Sequence, residues 1–435
     1  MASRRTIVFF PEAAYGPTLN CVGIGDVLKQ KGARVVFVVA ESFKEVIEGR
    51  GFEVSPVRLE PKPQVEAEAD QFWKDFIRET TPHFQDTTFQ QIRTLTKPIW
   101  EGEIAGSLYA QDQLKELFHR LRPDAIVQDN VIAFPAIHTS GAAFIRIISC
   151  NPAEIRDPQV PPTFSGLPAN DRSQWAAFME EYHRVMEPVH RDFNGFVQEN
   201  GCPPLGDLEF MFQSEYLNLY LYPKPIDYQR ANPLPSTFHR LDSCARTSEP
   251  PFQVPESLGK DGALIYISMG SLGSLDLRLT NRLINSLKKT KHRFIVSLGP
   301  QAAEVELPDN FYGEEFLPQP SVLPQVDMVI THGGNNTVTE CFHFGKPMVL
   351  LPLFWDQHDN AQRVHECGYG IRLSPNTFTD GELHDAIEEL LTNQERRRAM
   401  AEISKELQAH PGNVKGAELI YQVAERKELI SRGED

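Results

Sequence analysis

The fold of this chain is decided by the stretch at residues 328–340, which reads MVITHGGNNTVTE. Met328 to Thr331 predict a buried strand, because this run is short, apolar and rich in β-branched residues. Small and polar residues follow it and open a predicted helix near residues 336–344. At such a strand–helix junction, backbone N–H groups and the positive end of the helix can bind an anion.

Strands and helices alternate on both sides of this junction. In the C-terminal half, the pattern predicts strands at 263–268, 293–298 and 348–351 and a helix near 276–289. In the N-terminal half, it predicts strands at 6–10, 34–40, 125–128, 144–149 and 216–222, and helices at 19–31, 114–121, 134–140 and 172–200. Residues 64–113 contain no strand-like run and are expected to be helical insertions. Because short buried strands that alternate with helices are typical of parallel sheets, each half is predicted to be an α/β domain.

A proline-rich segment separates the two halves. Seven prolines occur between Pro223 and Pro255, and no periodic pattern survives among them. The predicted division is an N-terminal domain at 1–225, a linker at 226–262, a C-terminal domain at 263–411 and a final segment at 412–435. The last predicted helix, about 414–426, is compatible with packing on either domain.

The composition argues against several functions. The 435 residues include 59 Asp and Glu against 43 Lys and Arg, a formal net charge of -16, which disfavours nucleic-acid binding. No apolar run approaches the roughly 18 residues needed to span a bilayer, and the N-terminal run is too short for a signal peptide. The six cysteines show no C-x-x-C spacing and are expected to be free thiols. We expect a soluble cytoplasmic protein, and a monomer.

Two features next to the junction point to a nucleotide-like ligand. Glu340 lies about one turn into the predicted helix, where its carboxylate can accept two hydrogen bonds from a ribose diol. The loop Trp355 to His358 follows the next predicted strand at its carboxyl end, which is where α/β sheets bind ligands.

These elements together resemble the signature of the family 1 UDP-glycosyltransferases of GT-B fold. That signature runs W-x-P-Q-x-x-V-L, H-x-G-x-N-[ST]-x-x-E, G-x-P and D-Q-x-x-N. This sequence has FLPQPSVL at 316–323, HGGNNTVTE at 332–340, GKP at 345–347 and DQHDN at 356–360. The chain looks like a soluble bacterial-type member, a type also found in mites. The resemblance implies two Rossmann-like α/β domains that face each other across a cleft, with inverting, metal-independent hexose transfer from a UDP-sugar, UDP-glucose being favoured.

The resemblance also implies which residues bind the donor. His332, Gly334, Asn336 and Thr337 would hold the diphosphate, and Glu340 would bind the ribose. Phe316, Leu317 and Gln319 would face the uracil, and Asp356 and Gln357 would bind sugar hydroxyls. Ser268, Gly270 and Ser271 resemble the S-x-G-S turn of the family, which approaches the diphosphate from the opposite side. Two positions depart from the pattern, because Phe316 and Asn335 stand where a tryptophan is frequent.

The catalytic base is the largest departure. In the family, a histidine in the loop after the first strand removes the acceptor proton and an aspartate holds it. The aspartate is present as Asp129, but Pro17 stands at the histidine position and no histidine precedes His83. The catalytic candidates are Asp129 and Glu12, with Tyr15, His83 and His138 as further alternatives. A carboxylate is an adequate base for a phenol and a poor one for an alkyl alcohol.

The acceptor pocket is expected in the N-terminal domain, where aromatic residues recur among the inserted helices. An aromatic-rich insertion suits flat lipophilic ligands, although the same residues are also compatible with an ordinary helix core. The candidates are Tyr15, Trp73, Phe76, Phe84 and Trp100. We expect phenolic, flavonoid or xenobiotic acceptors, as in detoxification. The alternatives are an inactive binder of UDP-sugar or lipophiles and a transferase for lipid-linked precursors.

Overall fold

Two parallel sheets organise the chain. The computed structural model describes residues 4–61, 79–274 and 276–426. The first sheet contains β1 Thr6–Pro11, β2 Arg34–Ala40, β3 Glu53–Val57, β4 Ala125–Asp129, β5 Ala143–Ile148, β6 Leu217–Tyr220 and β7 Phe238–Arg240. The second contains β8 Leu264–Ser268, β9 Arg293–Ser297, β10 Phe311–Glu314, β11 Met328–Thr331, β12 Met348–Leu350 and β13 Gly370–Arg372. All the strand pairs given for both sheets are parallel. This confirms the predicted α/β class.

The strand orders place the ends of the central strands next to one another. The first sheet runs β3-β2-β1-β4-β5-β6-β7 and the second runs β10-β9-β8-β11-β12-β13. In the first, Pro11 at the end of β1 pairs with Asp129 at the end of β4. In the second, Ser268 at the end of β8 pairs with Thr331 at the end of β11. Since ligands bind at the carboxyl edge of such sheets, these ends mark the site.

Helices cover the sheets, and the central strands are buried between them. The α-helices of the described residues are Tyr15–Gln30, Lys44–Glu48, Thr88–Gln91, Lys97–Leu121, Pro135–His138, Trp175–Glu199, Gly270–Gly273, Leu277–Leu287, Gln319–Val322, Asn335–His343, Gln357–Glu366, Asp380–Thr392, Gln394–Ala409 and Gly412–Arg426. No helix among them is both long enough and apolar enough to cross a membrane.

The last helix, Gly412–Arg426, packs on the N-terminal sheet rather than on the domain that precedes it. Its Ile420 and Val423 are buried in one apolar cluster with Ile7 and Cys21. The carboxamide of Asn413 reaches the carbonyl of Gly23 on the helix Tyr15–Gln30. The two ends of the chain therefore meet in the same core.

The strands that the sequence patterns did not predict are the four edge strands. β3, β10 and β13 were not anticipated, and β7 lies inside the segment that we expected to be a linker from residue 226. Edge strands are short, bury one side incompletely and tolerate residues such as Pro56 and Gly313, so their hydrophobic pattern is weak. Two helices also differ in length: Lys97–Leu121 begins well before the predicted 114, and Pro135–His138 is shorter than the predicted 134–140.

Candidate active site

His332 lies where two loops of the C-terminal sheet meet. It follows β11, and the turn at 268–271 follows the neighbouring β8. A Cβ atom placed on Gly270, which has a φ of +72°, would lie 2.6 Å from His332 Nε2, and one placed on Gly334 would collide with the same atom. Only glycine fits at either position. The structure thus brings the S-x-G-S turn and the H-x-G motif around one imidazole.

The His332 ring is neutral in this environment. Its Nδ1 lies 3.3 Å from the carbonyl oxygen of Ser268, and because a carbonyl only accepts, Nδ1 carries the proton. Burial lowers the pKa of His332 to about 4. Nε2 is therefore the nitrogen left to face a ligand beside Gly270 and Gly334.

Glu340 belongs to a buried polar cluster under the start of the helix Asn335–His343. Its carboxylate accepts a hydrogen bond from Gln319 Nε2 at 2.6 Å, and Gln319 Nε2 also lies 3.3 Å from Thr337 Oγ1. Arg246 Nη1 lies 3.4 Å from the other carboxylate oxygen. Burial raises the pKa of Glu340, and the Arg246 guanidinium opposes this shift. Three residues predicted to bind the donor therefore lie together, with a cation that the sequence analysis missed.

Phe316 and Tyr15 meet across the two domains. Their ring centroids are 5.7 Å apart, and the side chains are 50% and 37% exposed respectively. Tyr15 also packs edge-on against Phe43. Tyr15 was expected at the acceptor, but the structure places it against the residue expected to face the uracil.

Asn336 contacts the N-terminal domain. Its Nδ2 donates to the carbonyl of Gly16 at 2.9 Å, and its Oδ1 accepts from Asn20 Nδ2 at 2.6 Å. The neighbouring Asn335 donates to the carbonyl oxygens of Ser149 and Leu221. The start of the helix Asn335–His343 is thus bound to the N-terminal domain by side-chain amides. Asn336, which the motif resemblance assigns to the diphosphate, therefore has its side chain at this domain contact.

Asp356 is held at the same domain contact, and Gln357 follows it within the C-terminal domain. Asp356 accepts hydrogen bonds from the backbone N–H of Asn151 at 2.9 Å and from Asn360 Nδ2 at 3.1 Å. Burial raises the pKa of Asp356 to about 7. The Gln357 side-chain oxygen accepts from the backbone N–H of Leu353 at 3.1 Å, so its nitrogen is the atom that can meet a sugar hydroxyl.

Asp129 lies beneath the carboxyl edge of the N-terminal sheet. It is only 2% exposed, and its Oδ2 accepts from Ser149 Oγ at 2.5 Å. Cys21 Sγ lies 4.0 Å from the same oxygen. Burial raises the pKa of Asp129 to about 7, and the Ser149 hydrogen bond opposes the shift. Asp129 ends β4 and bonds across to Ser149, the residue after β5.

Glu12 and Glu103 add negative charge beside this aspartate. The backbone N–H of Glu12 donates to the carbonyl of Asp129 at 2.7 Å. Burial, followed by the charges of Glu103, Asp129, Asp356 and Glu154, raises the pKa of Glu12 well above its usual value. Burial also raises the pKa of Glu103 to about 7. Burial therefore favours the neutral acid form of these carboxyl groups near neutral pH more than for exposed ones.

The aromatic residues expected at the acceptor divide into different environments. Trp100 is 4% exposed and lies 4.5 Å from Trp355 and 5.5 Å from Phe164, measured between ring centroids. Its indole nitrogen has no hydrogen-bond partner within the described residues. Phe84 is buried and stacks on Phe354 at 5.0 Å, which makes it part of a core cluster with C-terminal residues. Trp73 and Phe76 lie outside the described residues.

The two histidines considered as alternative bases lie in other settings. His83 Nδ1 bonds to Asp86 Oδ2 at 2.9 Å. His138 packs between the rings of Phe144 and Phe212, and burial lowers its pKa to about 4. Among the described residues, neither His83 nor His138 is given a contact with Asp129.

Several residues at the site had no sequence signal of their own. Arg246, Asn20, Ser149 and Glu103 come from four separate segments and match none of the quoted motifs. Their roles depend on which segments the fold brings together. In residues 4–61, 79–274 and 276–426, no group of three or more His, Cys, Asp or Glu side chains is arranged to hold a metal ion.

The sequence of this chain is similar to those of known proteins. Residues 281–423 match the family model described as erythromycin biosynthesis protein CIII-like, C-terminal domain. The chain is 24% identical over 415 residues to the NDP-glycosyltransferase YjiC of Bacillus subtilis, covering 93% of both chains. It is 24% identical over 261 residues to the uncharacterized UDP-glucosyltransferase YojK of the same organism, and that match spans 57% of this chain and 60% of YojK.

Comparison with solved structures confirms the predicted fold. The glycosyltransferase VinC, solved in complex with DTDP, superposes with a TM-score of 0.65 at 19% identity. The match covers 97% of this chain and all of VinC. The two parallel-sheet domains are therefore those of the GT-B fold, and the predicted fold is confirmed.

Proposed function

We propose that this chain, a GT-B glycosyltransferase of the nucleotide-sugar type, transfers a hexose, glucose in the first place, from a UDP-sugar to a hydroxyl of a small lipophilic acceptor. The observation that carries the proposal is the cluster of Gln319, Thr337 and Glu340 beside His332, at the carboxyl ends of β8 and β11. Parallel α/β sheets bind their ligands at this edge. The cytoplasmic, monomeric state and the role in detoxification of xenobiotics belong to the same proposal.

The donor is proposed to lie with its diphosphate on the N-terminal end of the helix Asn335–His343. The helix end and the backbone N–H groups around Gly270 would balance the charge of the leaving diphosphate, and the neutral His332 ring would accept a hydrogen bond from the ligand through Nε2. Glu340 would bind the ribose hydroxyls and Phe316 would stack on the uracil. Asp356, held at the domain contact, and the Gln357 nitrogen would bind sugar hydroxyls.

The acceptor is proposed to lie against the ring cluster of Trp100, Phe164 and Trp355. These side chains come from both domains and pack their flat apolar rings together, a type of surface that suits an aromatic ligand. Glu103 lies one turn after Trp100 on the helix Lys97–Leu121 and interacts electrostatically with Glu12. A phenolic or flavonoid hydroxyl is favoured, because its low pKa makes proton removal by a carboxylate feasible.

Transfer is proposed to invert the anomeric carbon in one displacement. The acceptor oxygen attacks C1 of the sugar as the bond from C1 to the diphosphate oxygen breaks. Asp129 is proposed to be the base that finally receives the acceptor proton. Burial supports this role, since a carboxyl with a pKa near 7 is a stronger base than an exposed one. Product formation from UDP-glucose and a panel of phenols and flavonoids, with the anomer read by NMR, tests the proposal. Absence of product with every nucleotide sugar and acceptor would contradict it.

A second candidate function is binding of UDP-sugar without turnover. Pro17 at the histidine position and the nearly complete burial of Asp129 favour it. The same assay distinguishes the two functions when UDP affinity is measured in parallel by titration calorimetry. Tight UDP binding without product would select the second candidate.

A further inference from the structure

The buried carboxylate of Asp129 is hydrogen-bonded to Ser149. The carboxylate is 2% exposed, and Ser149 Oγ lies 2.5 Å from its Oδ2. Ser149 directly follows β5, the strand next to β4 in the sheet, so it stands at the carboxyl edge where a ligand would bind. Pro17, at the position of the missing histidine, has no group that can carry a proton.

The hydrogen bonds around Ser149 define the direction of its proton. Asn20 Nδ2 donates to Ser149 Oγ at 3.0 Å. An amide nitrogen only donates, so the serine proton points to Asp129. A hydroxyl oxygen accepts up to two hydrogen bonds and donates one. After the bonds to Asn20 and Asp129, one accepting position of Ser149 is left for another hydroxyl.

The same contacts hold Ser149 beside the proposed donor site. Asn20 Nδ2 also donates to Asn336 Oδ1 at 2.6 Å, and Asn335 Nδ2 donates to the backbone carbonyl of Ser149 at 2.7 Å. Asn335 and Asn336 are the first two residues of the helix Asn335–His343, and the diphosphate is proposed to bind at the N-terminus of this helix. The serine hydroxyl is thus bonded to the buried carboxylate on one side and, through Asn20, is connected to Asn336 at the proposed donor site on the other.

We propose that Ser149 is a catalytic residue that passes the acceptor proton to Asp129, in place of a histidine. In this step the acceptor oxygen forms its bond to C1 of the sugar, and the bond from C1 to the diphosphate breaks. The acceptor proton moves to Ser149 Oγ as the serine proton moves to Asp129 Oδ2. Ser149 ends as a neutral hydroxyl, Asp129 as a neutral acid, and the electron pair of the broken bond leaves on UDP. The inference rests on the proposed function.

Concerted transfer is what makes a serine suitable. Its hydroxyl is a poor acid, but it never becomes an alkoxide when one proton arrives as the other leaves. Asn20 is a positioning residue in this scheme, because it orients the hydroxyl without touching the substrate. Burial also raises the pKa of Asp129 to about 7, which makes it a better final acceptor of the proton.

The test compares Ser149→Ala and Ser149→Thr with the wild-type enzyme on a weakly acidic phenol. Ser149→Ala is expected to lower kcat by about 10²- to 10³-fold, the usual size of a general-base effect, with little change in the KM for UDP-glucose. Ser149→Thr keeps a hydroxyl and is expected to restore most of kcat. Ser107→Ala is the matched control, since Ser107 is a buried serine of the same domain that bonds only to the carbonyl of Ala133 among the described contacts.

A proton inventory, in which the rate is measured against the D₂O content of the solvent, distinguishes a catalytic role of Ser149 from a purely structural one. Rates in mixtures of H₂O and D₂O are expected to curve for the wild type, because two protons move together, and to be linear for Ser149→Ala. A linear wild-type inventory, or a kcat for Ser149→Ala within twofold of wild type, would overturn the relay while leaving the transferase activity established. A wild-type chain that binds UDP and forms no product would overturn the proposed function and the relay with it.

Discussion

The carboxamides of Asn20 and Asn336 are in direct contact, with Nδ2 of the first 2.6 Å from Oδ1 of the second. One residue lies on the first helix of the N-terminal domain and the other on the helix that follows β11 in the C-terminal domain. The contact joins the proposed donor site to Ser149 and Asp129 through one hydrogen-bonded chain. A residue that the sequence motif indicates for diphosphate binding is therefore also part of the contact between the two domains.

Glu340→Gln is expected to weaken UDP and UDP-glucose equally, by roughly tenfold, which corresponds to about 1.4 kcal/mol. The ribose is common to both ligands, and the change removes the charge that faces Arg246. Titration calorimetry measures both affinities. Glu388→Gln is the control, because Glu388 is a half-exposed carboxylate of the same domain that bonds to His292. Unchanged UDP affinity in Glu340→Gln would remove Glu340 from the donor site.

Asp356→Asn is expected to spare UDP and to weaken UDP-glucose by about tenfold, because only the sugar would contact this side chain. Amide and carboxylate are similar in size, so the contact with the Asn151 backbone persists through the remaining oxygen. Calorimetry with the two ligands separates the effects. Equal losses for both ligands would mean that Asp356 only holds the domains together.

Phe316→Ala is expected to weaken UDP by about 1–3 kcal/mol, the usual contribution of an aromatic ring that stacks on a base. Phe316→Trp is expected to retain the affinity. Tyr109→Ala is the matched control, since Tyr109 is an aromatic side chain of similar exposure, 42%, on the helix Lys97–Leu121. If Phe316→Ala binds UDP as well as Tyr109→Ala does, the exposed ring has no part in nucleotide binding.

Asp129→Asn is expected to lose most of its turnover on weakly acidic phenols and to keep its donor affinity. Burial raises the pKa of Asp129 to about 7, and only the ionised form accepts a proton. The wild-type rate should therefore rise as the pH increases through about 7, and this step should be absent in the variant. Rates over a series of substituted phenols at several pH values measure both effects. A variant as fast as wild type across the series would make Asp129 a structural residue only.

Glu103→Gln is expected to stabilise the protein above pH 7 more than below pH 5. Burial raises the pKa of Glu103 to about 7 from 4.5, so the stability that its protonated form contributes is present at low pH and is lost as the pH rises through 7. Removing the charge should recover on the order of 2 kcal/mol at pH 8.5. Thermal unfolding at both pH values measures this. Glu101→Gln, on the exposed side of the same helix, should show no such pH dependence. Equal shifts for the two variants would contradict a buried Glu103.

The sequence predicted the central strands well and the site residues unevenly. Met328–Thr331 was predicted residue for residue, because a strand buried on both faces leaves a short apolar run in the sequence. The donor motif was readable for a related reason: His332, Thr337 and Glu340 are close along the chain, so their spacing survives in one segment. Tyr15 and Phe84 were predicted to bind the acceptor because they are aromatic. Residue type alone does not indicate which other ring an aromatic side chain contacts.

The sequence by itself determined the α/β class, the parallel central strands and the strand–helix junction at 332–337, since each depends on local pattern within a few residues. Tertiary structure alone decided that Arg246 faces Glu340, that Asn20 bonds to Asn336 and that Ser149 connects to Asp129. These pairs are separated by 94, 316 and 20 residues. Their contacts form because parallel strands bring distant carboxyl ends to one edge and because the two domains contact each other there. No periodicity in a single segment records that arrangement.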